Sequence, residues 1–121
     1  MGADILVMGA LHLDVIVNAP ALPAPDETMM GKDVAYRFGG KGGNQAVSAA
    51  RMGGKVAMIG VVGTDDFAQP LRAELARADV DMSMLATCDG ASGMSVAIVQ
   101  NDGSYAAVVV SGVNRQINAQ Q

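Results

Sequence analysis

Phe38-Gly39-Gly40-Lys41-Gly42-Gly43-Asn44-Gln45-Ala46 sets four glycines around one lysine and then changes abruptly to helix-forming residues. Gly40, Gly42 and Gly43 permit backbone angles and close approaches that a Cβ forbids, so a polar ligand can rest against the main chain. A helix following them would aim its unpaired N–H groups at that ligand, which favours an oxygen-rich or anionic group. The plainer alternative is a tight strand-to-helix turn, although a turn needs one or two glycines rather than four.

The lysine suggests a nucleotide phosphate loop, but the spacing excludes it. Position 35 is alanine where G-x-x-x-x-G-K-[ST] needs glycine, and Lys41 is followed by Gly42 rather than a magnesium-binding hydroxyl. The dinucleotide fingerprint fails as well, because Gln45 occupies its last glycine position.

Downstream, the small residues Ala46, Val47, Ala49 and Ala50 predict a helix from Asn44 to Met52, with Gly53-Gly54 as its C-cap. Val56 to Val62 is an apolar run, so strand, glycine turn, helix and strand compose a βαβ-like unit. Thr64, Asp65 and Asp66 are N-cap candidates for a helix whose apolar positions are Phe67, Leu71, Leu75 and Ala78, with Pro70 in its first turn. Capping and macrodipole stabilisation explain the two aspartates without a metal site. Val80 to Thr87 predicts another strand. Gly93 to Gln100 and Tyr105 to Ser111 predict a hairpin turning at Asp102-Gly103. The polar residues from Gly112 to Gln121 open one more element.

Upstream, Asp4 to Gly9 is a short apolar run of the kind buried on both faces of an α/β sheet. A second extended run follows, in which Leu11, Leu13, Val15 and Val17 alternate with His12, Asp14, Ile16 and Asn18. His12 and Asp14 therefore share one face. They form either an internal hydrogen-bond pair or the polar wall of a pocket, where a carboxylate accepts two hydrogen bonds from sugar hydroxyls. Pro20, Pro23 and Pro25 mark a surface loop, and short strands are predicted at Thr28 to Met30 and Val34 to Phe38, in a small sheet apart from the main core.

With 121 residues, half of them hydrophobic, the chain is expected to form one unit with a real core. The net charge of −4 argues against nucleic acid or anionic lipid as a partner. No apolar run approaches the roughly 20 residues that span a bilayer, and no secretory signal is apparent. Cys88 is the sole cysteine, a small core filler that forms no internal disulfide. These features predict a soluble, cytoplasmic protein.

Four segments occur together in the order and spacing of the ribokinase-like (PfkB) carbohydrate kinases: Val7 to Asp14, Pro25 to Thr28, Gly39 to Ala46 and Gly60 to Phe67. The chain resembles the ribokinase branch of that family over essentially its whole length. The resemblance implies an α/β sandwich, here its N-terminal part, with a small β-sheet lid built from strands near 28–38 and 93–111 and used in many members for dimerisation. It implies that Asp14, Gly40, Lys41, Gly42, Gly43 and Asn44 bind a sugar or nucleoside, with His12 read beside them from its place on Asp14's face, and that ATP with magnesium, and a monovalent cation, serve the full reaction. Ribokinases typically carry asparagine two residues before the aspartate, where this chain has His12. The catalytic aspartate, nucleotide pocket and cation site belong to the family's C-terminal half, so residues 1–121 alone are expected to be inactive. The competing expectation is a non-catalytic sugar-binding or dimerisation module.

Overall fold

The computed structural model describes residues 2–117 and builds two sheets and two α-helices. The chain runs β1 (Ile5–Met8), β2 (His12–Asn18), β3 (Asp33–Gly39), α1 (Lys41–Arg51), β4 (Val56–Val62), α2 (Ala68–Arg77), β5 (Leu85–Thr87), β6 (Gly93–Val99), β7 (Tyr105–Val110) and a 3-10 helix (Gly112–Gln116). Residues 118–121, the end of the last predicted element, lie outside the described residues.

The first sheet is parallel, in the order β1-β4-β5. All seven residues of β4 are buried, as a continuous apolar run flanked by strands and covered by helices must be. Val47 of α1 and Leu71 and Leu75 of α2 complete the core with Met58 and Val62. β1 departs from the sequence expectation: Val7 is buried, but Leu6 and Met8 are 57% exposed. Among the described residues the strand pairs with β4 alone, at the edge of its sheet, and only its Val7 side chain reaches the core.

The helices are also corrected. α1 begins at Lys41, three residues before the predicted start, because Gly42 and Gly43 adopt helical backbone and pack inward. Its C-terminus is a Schellman motif: the Gly53 and Gly54 N–H groups donate to the Ala50 and Ala49 carbonyls, with Gly53 at φ 98°. α2 has no side-chain cap. Thr64 instead bonds Asp89 and Gly90, and the Asp65 carboxylate accepts from the Ser92 N–H and hydroxyl at 3.0 and 2.8 Å.

The second sheet is mixed, in the order β3-β2-β6-β7, with β2 antiparallel to β3 and parallel to β6. Thr28 to Met30 forms no strand. Pairing with β3 stops at Asn18 and Asp33, beyond which the chain bends at Pro20-Ala21 and leaves the ladder. The strand predicted at Val80 to Thr87 shrinks to β5 and one bridge, from Asp81 to Ala57. The chain turns through Asp79 at φ 60°, and the Asp81 carboxylate captures the Ser83 N–H. Cys88 is half-buried and is not part of the core cluster.

Candidate functional site

The second sheet joins the first across four short connections, and the glycines of the opening motif lie at one of them. Gly40 is at φ 92°, and a Cβ there would stand 2.5 Å from the Ala10 carbonyl oxygen. A Cβ on Gly42 would lie 2.6 Å from Gly9 Cα, and one on Gly43 would lie 2.7 Å from Phe38 Cζ. The Gly43 N–H donates to the Ala10 carbonyl at 3.1 Å. Close packing of α1 on the β1–β2 link therefore requires these glycines irrespective of any ligand.

That packing leaves one side of α1 open. Gly42, Gly43, Ala46 and Val47 are buried, whereas Lys41 and Asn44 are exposed one turn apart. No side chain caps the helix and no acid sits in its first turn, so its positive end is not neutralised by the protein.

His12 and Asp14 are half-buried on one face of β2, as the alternation predicts. They do not hydrogen-bond one another. Asp14 Oδ1 accepts from the Ser95 hydroxyl at 2.8 Å, while Oδ2 lies over Gly39, where a Cβ would overlap it. His12 is flanked in register by Gly39 on β3 and Gly93 on β6, and its Cδ2 occupies the space a Gly93 side chain would need. A Gly40 Cβ would be 3.0 Å from the His12 backbone nitrogen, so the histidine sits directly beside the approach to α1. The fold thus gathers His12, Asp14 and residues 40–44 in one region.

Ser95, Gly39 and Gly93 escaped the sequence reading. Gly39 stood in the opening motif without a role of its own, and only the alternation Gly93-x-Ser95 within a predicted strand hinted at the other two; nothing local tells which strand they face. Arg37 was missed too: it stands opposite Asp14 on β3, exposed, with no ion pair among the described residues. The same residues contain no cluster of three or more His, Cys, Asp or Glu side chains suited to a metal. No helix among them is long and apolar enough to cross a membrane.

Comparison with known proteins bears directly on this geometry. The model of the pfkB family of carbohydrate kinases matches residues 3–121. The chain is similar to the ribokinase of Mus musculus, 34% identical over 98% of this chain and 37% of that protein. It is also similar to the ribokinase of Haemophilus influenzae, 31% identical over 98% of this chain and 39% of that protein. Among solved structures, the Arabidopsis thaliana ribokinase complexed with ribose and ATP superimposes with a TM-score of 0.85 at 28% identity, covering 94% of this chain and 38% of that one. The chain therefore spans under two-fifths of the length of these relatives.

Proposed function

The chain belongs to the pfkB family of carbohydrate kinases, and from that premise we propose that it forms the sugar-holding N-terminal part of an ATP-dependent sugar kinase of the ribokinase type. The observation that carries this reading is the Asp14 carboxylate, steadied by Ser95 and laid over Gly39 beside the open end of α1. A carboxylate held by one oxygen keeps lone pairs for two hydroxyls of a sugar, which fixes the ring's orientation. Asn44 adds a donor and an acceptor, Lys41 adds a cation, and the backbone at Gly40 to Gly43 lets the ring approach closely. His12 narrows the other side. The acceptor is a sugar or a nucleoside; His12, in place of the branch's asparagine, changes the pocket wall, and ribose, the sugar bound in the Arabidopsis relative, serves as the probe for the class.

The reaction is transfer of the γ-phosphoryl group of ATP to a sugar hydroxyl. ATP with magnesium supplies the electrophile, and the monovalent cation expected by family resemblance would serve the same half of the reaction. This chain's residues bind and orient the acceptor, a contribution that phosphoryl transfer depends on heavily. By the family resemblance the general base and the nucleotide clamp belong to the C-terminal half, and the need for ATP fits a cytoplasmic enzyme.

Calorimetric titration of the chain with D-ribose tests the reading. Saturable binding that Asp14→Ala weakens about tenfold or more, in line with the loss of charge-assisted hydrogen bonds, is the expected result. Binding unchanged by Asp14→Ala would sink it.

A second role for the β3-β2-β6-β7 sheet, as a lid through which two copies pair, is favoured by one observation. Val34, Tyr36, Val96, Val108 and Val110 lie on one face of it and are 38% to 68% exposed. A contiguous apolar sheet face of this kind marks an interaction surface. Sedimentation should show a dimer that Tyr36→Lys dissociates.

A further inference from the structure

A buried polar anchor lies away from the sugar-facing side chains. Asn114, on the 3-10 helix, is 9% exposed. Its Oδ1 accepts from the Leu11 N–H at 3.0 Å, and its Nδ2 donates to the Leu11 carbonyl at 2.8 Å and the Ser111 carbonyl at 2.9 Å. One carboxamide thus satisfies both backbone groups of a residue 103 positions earlier, with both of its own donors engaged. It does for Leu11 what a neighbouring strand's peptide group would do.

The place of this contact gives it meaning. Leu11 joins β1 of the first sheet to β2 of the second, and its side chain is fully buried. Ser111 follows β7 where the chain re-enters the body through Gly112, at φ 57°. The carboxamide nitrogen fills the space a Gly93 side chain would take at the start of β6. The Val113 N–H donates to the Ala91 carbonyl, tying the same turn to the β5–β6 link. Three of the four connections between the sheets meet at Asn114. The fourth, Gly39-Gly40, lies against Ala10, immediately before Leu11.

We propose that Asn114 is a positioning residue: it locks the crossing from which the second sheet leaves the body, and so sets where Asp14 and His12 stand relative to the N-terminus of α1. Asp14 is three residues past Leu11, and its partner Ser95 is two past Gly93, so both ends of the Asp14–Ser95 contact start from this crossing. Removing the carboxamide leaves the buried Leu11 N–H and carbonyl without partners. The cost falls on the link between the sheets. β4, against which the 3-10 helix also packs, is held by its own ladders to β1 and β5 and keeps those bonds.

The test uses the 121-residue chain with Asn114→Ala and Asn114→Asp, the second keeping size and the acceptor while removing the donors. Amide exchange at Leu11 should accelerate about tenfold or more, while Val56 to Val62 stay protected. Residual dipolar couplings of β2 and β6 should cease to fit the orientation frame of β4 and α1. The ribose arm rests on the sugar reading above. Affinity should fall about tenfold in Asn114→Ala and by clearly less when Asn114→Ala is added to Asp14→Ala, a non-additivity that a merely structural loss does not produce. Unchanged Leu11 exchange and a single unchanged frame in both variants would overturn the proposal. Ribose effects that simply add would overturn it too. If the unaltered chain binds no ribose, the sugar reading fails, and exchange and couplings decide this one alone. If neither variant folds, the unaltered chain decides: Leu11 exchanging as slowly as the β4 amides supports the lock, and fast exchange refutes it.

Discussion

The Asp14 carboxylate and the Ser95 hydroxyl meet at 2.8 Å across the parallel pairing of β2 and β6, although 81 residues separate them in the chain. A half-buried carboxylate with one oxygen so engaged has a defined direction. Ser95→Ala should cost about 1 kcal/mol of stability, the usual net worth of such a bond, measured by urea unfolding. Ribose affinity should drop severalfold, because the carboxylate then samples several rotamers.

Gly39 is the other support of that carboxylate. A Cβ there overlaps Asp14 Oδ2, so Gly39→Ala should displace the acid and weaken ribose binding. The chain should still fold, at an overpacking cost of about 1–3 kcal/mol. Gly2→Ala, with nothing within 4 Å of the added carbon, is the control and should change neither quantity.

Core and surface contacts of α2 should separate cleanly. Leu71 and Leu75 are fully buried, and truncating either to alanine should cost about 2–5 kcal/mol. Glu74, which accepts from Arg51 at 2.9 Å and also pairs with Arg77, joins partners that are more than 60% exposed. Glu74→Ala should cost under about 1 kcal/mol. Thermal melts of the three variants check the ranking, which would be contradicted by a Glu74 effect as large as either leucine's.

Acid should loosen the hairpin tip before the core. Hydrogen bonds from the Ser104 hydroxyl and N–H hold the Asp102 carboxyl below its ordinary range. The Ser83 N–H does the same for Asp81. A carboxyl depressed in the folded state stabilises above its unfolded pKa and loses that contribution as pH falls through the folded one. The Ser104 and Ser83 amide resonances should therefore shift together below the ordinary carboxylate range while β4 amides stay in place.

The wrong boundaries have physical causes that no local pattern shows. Gly42 and Gly43 look like turn residues until Gly9 and Phe38 are seen to need their missing side chains, which makes them the first turn of α1. Thr64 and Asp65 look like helix caps, but their oxygens are taken by Asp89, Gly90 and Ser92, 25 to 27 residues on. β1 reads as a core strand from its composition and, among the described residues, stands at the edge of its sheet.

Periodicity, glycine placement and turn chemistry were enough for β2, β4, the α2 core face, the Asp102-Gly103 hairpin and the shared face of His12 and Asp14. Each depends on contacts between residues a few positions apart, and the order of four motifs was enough for the family. Strand partnership was not legible in this way. That β2 crosses into a second sheet, lies between β3 and β6, brings Ser95 to Asp14 and hands Leu11 to Asn114 follows from burying the β4 run while pairing every backbone group displaced by it. That balance is struck over the whole chain, and a hydroxyl or carboxamide 80 to 100 residues away leaves no local mark of where it will bond.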